Sequence, residues 1–285
     1  MTNEDRLEIT DFDACPNLVS LFLSRADELG DKPFLWAKRG GAWQSISWTQ
    51  AAERVCLMAE ALRAMGLKDG ERVVLVSENR PEWCLADLAI MAAGLITVPA
   101  YTTNTERDHS HVLENCGAAA VIVSDAKLAK ALLPAVLHVD SVRHVIAIEA
   151  FKLPQLAPAS LHDWGSLFTG DAQAARAAVE ARIAGIDRDD LACIIYTSGT
   201  GGAPRGVKQH HGMILCNVDG AARVIADDFG WEDEVFLSFL PLSHSYEHTG
   251  GQFMPIALGA QIWYSEGLEK LASNIEEVRP TIMVV

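Results

Sequence analysis

Leu191-Ala192-Cys193-Ile194-Ile195-Tyr196-Thr197-Ser198-Gly199-Thr200-Gly201-Gly202-Ala203-Pro204-Arg205-Gly206-Val207 is the stretch on which the fold turns. Leu191 to Tyr196 is an apolar run short enough for a buried strand, and a helical pattern follows from about His211 to Ala226. Between them lies a turn with three hydroxyls, four glycines and one cation. Glycine has no Cβ, so the backbone can adopt positive φ and approach a ligand closely, and successive N–H groups can converge on anionic oxygens. The segment therefore reads as a triphosphate loop. Thr197, Ser198, Gly199, Thr200, Gly201 and Gly202 are its candidate binding residues, and Arg205 supplies charge-assisted hydrogen bonds to phosphate. It is neither of the common nucleotide motifs. Val207 and Lys208 stand where a P-loop requires Lys and then Ser or Thr, and Pro204 stands where G-x-G-x-x-G requires its third glycine.

Working outward, helical and strand patterns alternate along the chain. That pattern predicts an α/β fold with mainly parallel sheets flanked by helices. A helix is expected from about Asn17 to Leu29, and a hairpin joins Phe34–Lys38 to Trp43–Trp48. Thr49 is the expected cap of the next helix, which ends at Gly66. Strands are expected at Arg72–Val76, Leu95–Tyr101, Val121–Val123 and Val142–Ile148, with helices at Pro81–Ala93 and Ala172–Ala184. Ala150–Ser160 reads as a surface connection, and Arg279–Val285 as a strand entering the core. The expected division is a first α/β segment over 1–185 and a phosphate-loop segment over 186–285 that opens a second α/β subdomain.

Composition narrows the class of function. Of 285 residues, 49% are hydrophobic, enough for a large core. The 38 acidic and 23 basic residues give a net charge of −15, with no clustered Lys and Arg to meet a nucleic-acid backbone. No apolar run reaches the length of a membrane span, and Met1 to Arg6 lacks the layout of a signal peptide, so a cytoplasmic location is expected. Peripheral contact with a lipid surface stays open. Cys15, Cys56, Cys84, Cys116, Cys193 and Cys216 form no C-x-x-C pairs and read as free thiols.

Tyr196 to Val207 closely resembles the signature loop of the adenylate-forming (AMP-binding) superfamily, usually written Y-T-S-G-T-T-G-x-P-K-G-V. This chain departs from it at Gly201, where a hydroxyl is usual, and at Arg205, where Lys is usual. The resemblance continues through Val73-Val74-Leu75-Val76-Ser77-Glu78-Asn79-Arg80-Pro81-Glu82-Trp83 and Gly94-Leu95-Ile96-Thr97-Val98-Pro99. Phe239-Leu240-Pro241-Leu242-Ser243-His244-Ser245-Tyr246-Glu247-His248 is similar to the long-chain fatty acyl-CoA synthetase form of the next motif, and Gly259-Ala260 and Leu271–Pro280 also fit that subgroup. The resemblance implies an ATP-dependent acid–thiol ligase. A fatty or other carboxylic acid, ATP with Mg2+, and coenzyme A would give acyl-CoA, AMP and pyrophosphate through an acyl-adenylate. It places His244 beside the acyl and phosphate pocket as the candidate catalytic residue, and it assigns no metal ligand. The family's later motifs do not occur in these residues, so the expectation is the front portion of a longer enzyme, incomplete at the C-terminus and inactive alone.

Two other functions fit parts of the sequence. A non-catalytic nucleotide-binding or interaction module needs only the loop. His244 to His248 also matches H-x-x-E-H, in which two histidines four apart on a helix hold zinc and Glu247 serves as base, although Gly250 and Gly251 make a long helix there unexpected. Among the remaining histidines, His109 and His111 cannot share a helix face, which favours solvated or partner-satisfied roles. His210-His211 reads equally as a phosphate neighbour or a helix entry. Trp83, Trp231 and Trp263 read as core or rim aromatics.

Overall fold

The computed structural model describes residues 12, 14–152, 159–197, 203–228, 230 and 233–285. Asn17 stands at the start of the first described helix. Its side-chain oxygen accepts from Ser20 N at 2.9 Å and caps α1 (Leu18–Leu29), while its amide donates to the carbonyls of Ile183 and Ile186 at 3.0 Å each. The hairpin β1 (Pro33–Arg39) and β2 (Ala42–Ser47) turns through Gly40 and Gly41, both at positive φ. Helix α2 (Trp48–Ala64) starts before the expected Thr49: Ser47 caps it in a box with Gln50, which satisfies two orphan donors reciprocally.

Alternation then follows as β3 (Arg72–Val76), α3 (Pro81–Ala92), β4 (Ile96–Ala100), α4 (Glu106–Cys116), β5 (Ala118–Val123), α5 (Ala126–Val136), β6 (His144–Ala147) and β7 (Ser160–Asp163). A 3-10 turn at Trp164–Phe168 leads to α6 (Ala172–Ile183), then β8 (Leu191–Thr197), β9 (Arg205–His210) and α7 (His211–Asp228). The last part holds β10 (Val235–Ser238), the short α8 (Ser245–Glu247), a π-helical turn at His248–Phe253, α9 (Met254–Leu258), β11 (Gln261–Tyr264) and α10 (Leu271–Val278).

Two sheets result. Seven strands lie in the order β7-β6-β5-β3-β4-β8-β9, all parallel except the final pair, and four lie in the order β10-β11-β1-β2, where only β1 and β2 are antiparallel. The expected fold of mainly parallel sheets flanked by helices is what forms. β5, with every residue buried, shows why: a parallel strand covered on both faces reads as a continuous apolar run. Helix α3 carries the same logic further. All its residues are buried, and it packs on β3 and β4 of one sheet and β1 of the other, so Glu82 and Asp87 within it must find partners. Arg279–Val285 departs from expectation. It forms no strand of its own: Arg279, at φ 51°, is a left-handed stop to α10, and beyond it Thr281 and Ile282 tie to β10 through the bridge Phe236–Ile282 and backbone hydrogen bonds with Val235 and Leu237.

Candidate functional site

β8 ends at Thr197 and the chain returns as β9, an antiparallel strand where the sequence reading expected only a turn before a helix. β9 covers the edge of the large sheet. It is polar and exposed because no described strand pairs its outer side, which is why period and hydropathy did not mark it. The register sets Thr197 opposite Arg205 and Tyr196 opposite Gly206. A hydroxyl and a guanidinium thus face each other across the mouth of the hairpin, at the carboxyl end of a parallel strand, where open α/β sheets receive ligands. Arg205 is exposed and makes no ion pair among the described residues. Ser198, Gly199, Thr200, Gly201 and Gly202 lie outside the described residues. Gly206 is required by packing, since a Cβ there would sit 2.8 Å from Ile194 Cγ2 and 3.1 Å from Tyr196 Cζ.

Across from β3, the chain after β10 carries the second candidate group. Asn79 binds this irregular stretch like a missing strand. Its Nδ2 donates to Leu240 O at 2.6 Å and Ser238 Oγ at 3.0 Å, and its Oδ1 accepts from Leu242 N at 3.1 Å. Ser238 Oγ in turn donates to Glu247 Oε1 at 2.6 Å. Burial pushes the Glu247 carboxyl up to about 7, with the bonds from Ser238 and the Phe239 backbone offsetting only part of the cost. Beside this network lies a cleft of about 520 Å³ lined by Asn79, Arg80, Glu82, Pro241, Ser243 and Tyr264 among others. Burial alone would raise Glu82, but Arg80 and Arg39 both bind it and hold its carboxyl below the usual range. Thr197 and Arg205 are not part of the cleft wall, so hairpin and cleft are two features of the carboxyl-end face.

His244 is exposed at the N-cap of α8, next to the cleft residue Ser243. Its backbone N–H donates to Pro241 O at 2.9 Å, and its Nδ1 accepts from Tyr246 N at 3.2 Å. In the neutral ring that bond leaves the proton on Nε2, a donor free of the cap. His248 lies elsewhere. It is fully buried, with Nε2 2.8 Å from Asp87 Oδ2 and Nδ1 3.8 Å from Cys193 Sγ, and Gln252 Nε2 donates to the same carboxylate oxygen at 2.6 Å. The H-x-x-E-H pair is therefore not on one face: His244 precedes the helix as its cap, and a π-helical turn starts at His248. Structure and zinc reading part here.

The other histidines resolve individually. Burial pushes His211 down to about 4, and its Nδ1 accepts from Leu18 N at 3.3 Å, which makes it the buried entry to α7. His210 Nδ1 bonds Asp189 O. His109 is buried and also pushed down to about 4, while His111 Nε2 donates to Pro204 O at 2.8 Å. Trp83 is fully buried against His248, Trp263 stacks on Trp36, and Trp231 lies outside the described residues. Asn79, Asp87 and His111 were missed as site residues in the sequence because their partners lie far along the chain. No described helix is long and apolar enough to cross a membrane. At the hairpin mouth, Thr197 and Arg205 offer a donor and a positive charge, a set that fits an anionic polyphosphate and contains no carboxylate for a divalent cation.

Fold and site together define a class: a mainly parallel α/β protein with a hydroxyl- and glycine-rich hairpin at the carboxyl end of its large sheet. The chain belongs to the AMP-binding enzyme family, whose model matches residues 22–285. It is similar to the long-chain-fatty-acid–CoA ligase ACSBG2 of Xenopus laevis, 28% identical over 97% of this chain and 38% of the relative. It is also similar to the long-chain-fatty-acid–CoA ligase FadD15 of Mycobacterium tuberculosis, 28% identical over 86% of this chain and 38% of that protein. The chain thus spans about two fifths of the length of these curated relatives. Among solved structures, an anthranilate CoA ligase, AuaEII, in complex with anthranoyl-AMP superposes with TM-score 0.74 at 21% identity, covering 94% of this chain and 49% of that one. A fatty acid AMP ligase from Legionella pneumophila gives 0.72 at 22% identity, covering 96% and 45%.

Proposed function

We propose that this chain belongs to an acid–thiol ligase that joins a fatty acid to coenzyme A through an acyl-adenylate, and that the β8–β9 hairpin holds the polyphosphate of ATP. The observation that carries the reading is the pairing of Thr197 with Arg205 at the mouth of a Tyr-Thr-Ser-Gly-Thr loop, in a chain of the AMP-binding family. Thr197, Ser198, Gly199, Thr200, Gly201 and Gly202 would bind the β- and γ-phosphates, with Arg205 adding charge. Mg2+ would arrive on the phosphates and neutralise charge there. The first step brings a carboxylate against an anionic phosphate, so its barrier is chiefly electrostatic, and donors already in place lower it. Nε2–H of His244 would orient a carboxylate or phosphate oxygen beside the cleft. Expulsion of pyrophosphate then leaves a mixed anhydride that a thiol opens, and the protein forms no covalent intermediate. Names of relatives support a long-chain acid as substrate.

The test is nucleotide accounting with the protein its gene encodes, supplied with a long-chain fatty acid, ATP, Mg2+ and coenzyme A. AMP formed one for one with acyl-CoA, falling at least about tenfold in His244→Ala, is the expected result. Formation of ADP, or AMP release that does not depend on the acid, contradicts the proposal.

A further inference from the structure

We infer that helix α4 sets the position of the phosphate hairpin, with His111 as the positioning residue and Asn115 as its companion. The inference rests on the nucleotide reading only for its consequence, not for its geometry. His111 and Asn115 are four residues apart and share one face of α4. From that face His111 Nε2 donates to the carbonyl of Pro204 at 2.8 Å, and the hydroxyl of Tyr196 donates to Asn115 Oδ1 at 2.6 Å. The edge of the His111 ring also meets Tyr196, with centroids 6.0 Å apart and planes at 86°.

These contacts grip both limbs of the hairpin. Tyr196 is the last residue before Thr197 on the outgoing limb, and Pro204 is the last before Arg205 on the incoming one. Proline has no N–H, so its carbonyl is the one backbone group through which position 204 can be tied, and His111 takes it. Gly206 completes the arrangement by leaving room for the Tyr196 ring opposite it. The two side chains that would meet phosphate, Thr197 and Arg205, are each held one residue away by the same helix. A site that binds an anion through oriented donors gains affinity when those donors need no reordering on binding. His111 acts through Pro204 and is not itself a ligand contact.

Two readouts test this, one independent of nucleotide. Trypsin cleavage after the exposed Arg205 is followed in the ligand-free protein, and ATP affinity is measured by titration calorimetry in the presence of Mg2+. In His111→Ala, loss of one half-buried hydrogen bond should speed cleavage about fivefold and weaken ATP binding about fivefold, with an unchanged melting temperature. In His111→Gln, which keeps a donor at similar reach, both values should return to near those of the parent. Unchanged cleavage in His111→Ala, or a Gln variant that behaves like Ala, overturns the inference. A parent that binds no ATP while the cleavage pattern holds overturns the nucleotide reading and leaves the anchor standing. Should His111→Ala fail to fold, Asn115→Ala, at an exposed position, takes its place with the same expectations.

Discussion

Burial sets the chemistry of Glu247. Its side chain is 1% exposed, Oε2 has no hydrogen-bond partner among the described residues, and burial lifts its pKa from 4.5 to about 7. Between those values the folded protein keeps a proton that the unfolded chain has lost. The associated stability is complete below about pH 4.5 and disappears as pH rises through 7, a difference of about 3 kcal/mol for the full shift. Glu247→Gln does not titrate. The variant should therefore melt together with the parent near pH 4 and well above it at about pH 8.5, as thermal melts across that range would show. An equal gap at both ends would mean that Glu247 is not held neutral. Thr197 and Arg205 stood out as candidate phosphate donors because motif and spacing are local. Asn79, Asp87 and His111 did not, since their partners lie 161, 161 and 93 residues away.

At the scale of elements, the hairpin β8–β9 is held by packing that only glycine permits. A methyl group at position 206 would meet Ile194 and Tyr196, so Gly206→Ala should destabilise by about 1–3 kcal/mol. Gly220 in α7 is the contrast, with nothing among the described residues within 4 Å of an added Cβ, and Gly220→Ala should stabilise by about 0.5–1 kcal/mol through helix propensity. Denaturant unfolding of the two variants checks both signs, and a neutral Gly206→Ala would show that the hairpin does not close on Tyr196. Elements were legible where burial imposed a pattern: β3 was read to the residue as Arg72–Val76, because strands covered on both faces are continuously apolar. β7 and β9 were not, being polar strands at the two edges of the large sheet, and α5 carries Pro134 within it, a residue that normally signals an end rather than an interior.

For the whole molecule, the decisive arrangement is that strands from distant parts of the chain deliver their carboxyl ends to one face. β8 brings Thr197, β3 brings Asn79, and β10 leads to His244, while α3 lies between the sheets and anchors His248 through Asp87. Alternation along the sequence was enough to predict parallel sheets, yet it could not show that β1 and β2 from the beginning of the chain join β10 and β11 from its end, because that pairing is decided by shape and burial rather than by local pattern. If the hairpin holds the polyphosphate of ATP, a bound nucleotide must lie at its mouth. A crystal structure of the protein its gene encodes, grown with ATP and Mg2+, tests it most directly. Phosphate oxygens should lie within hydrogen-bond distance of Thr197 and Arg205. Nucleotide bound elsewhere, with both side chains facing solvent, would contradict it.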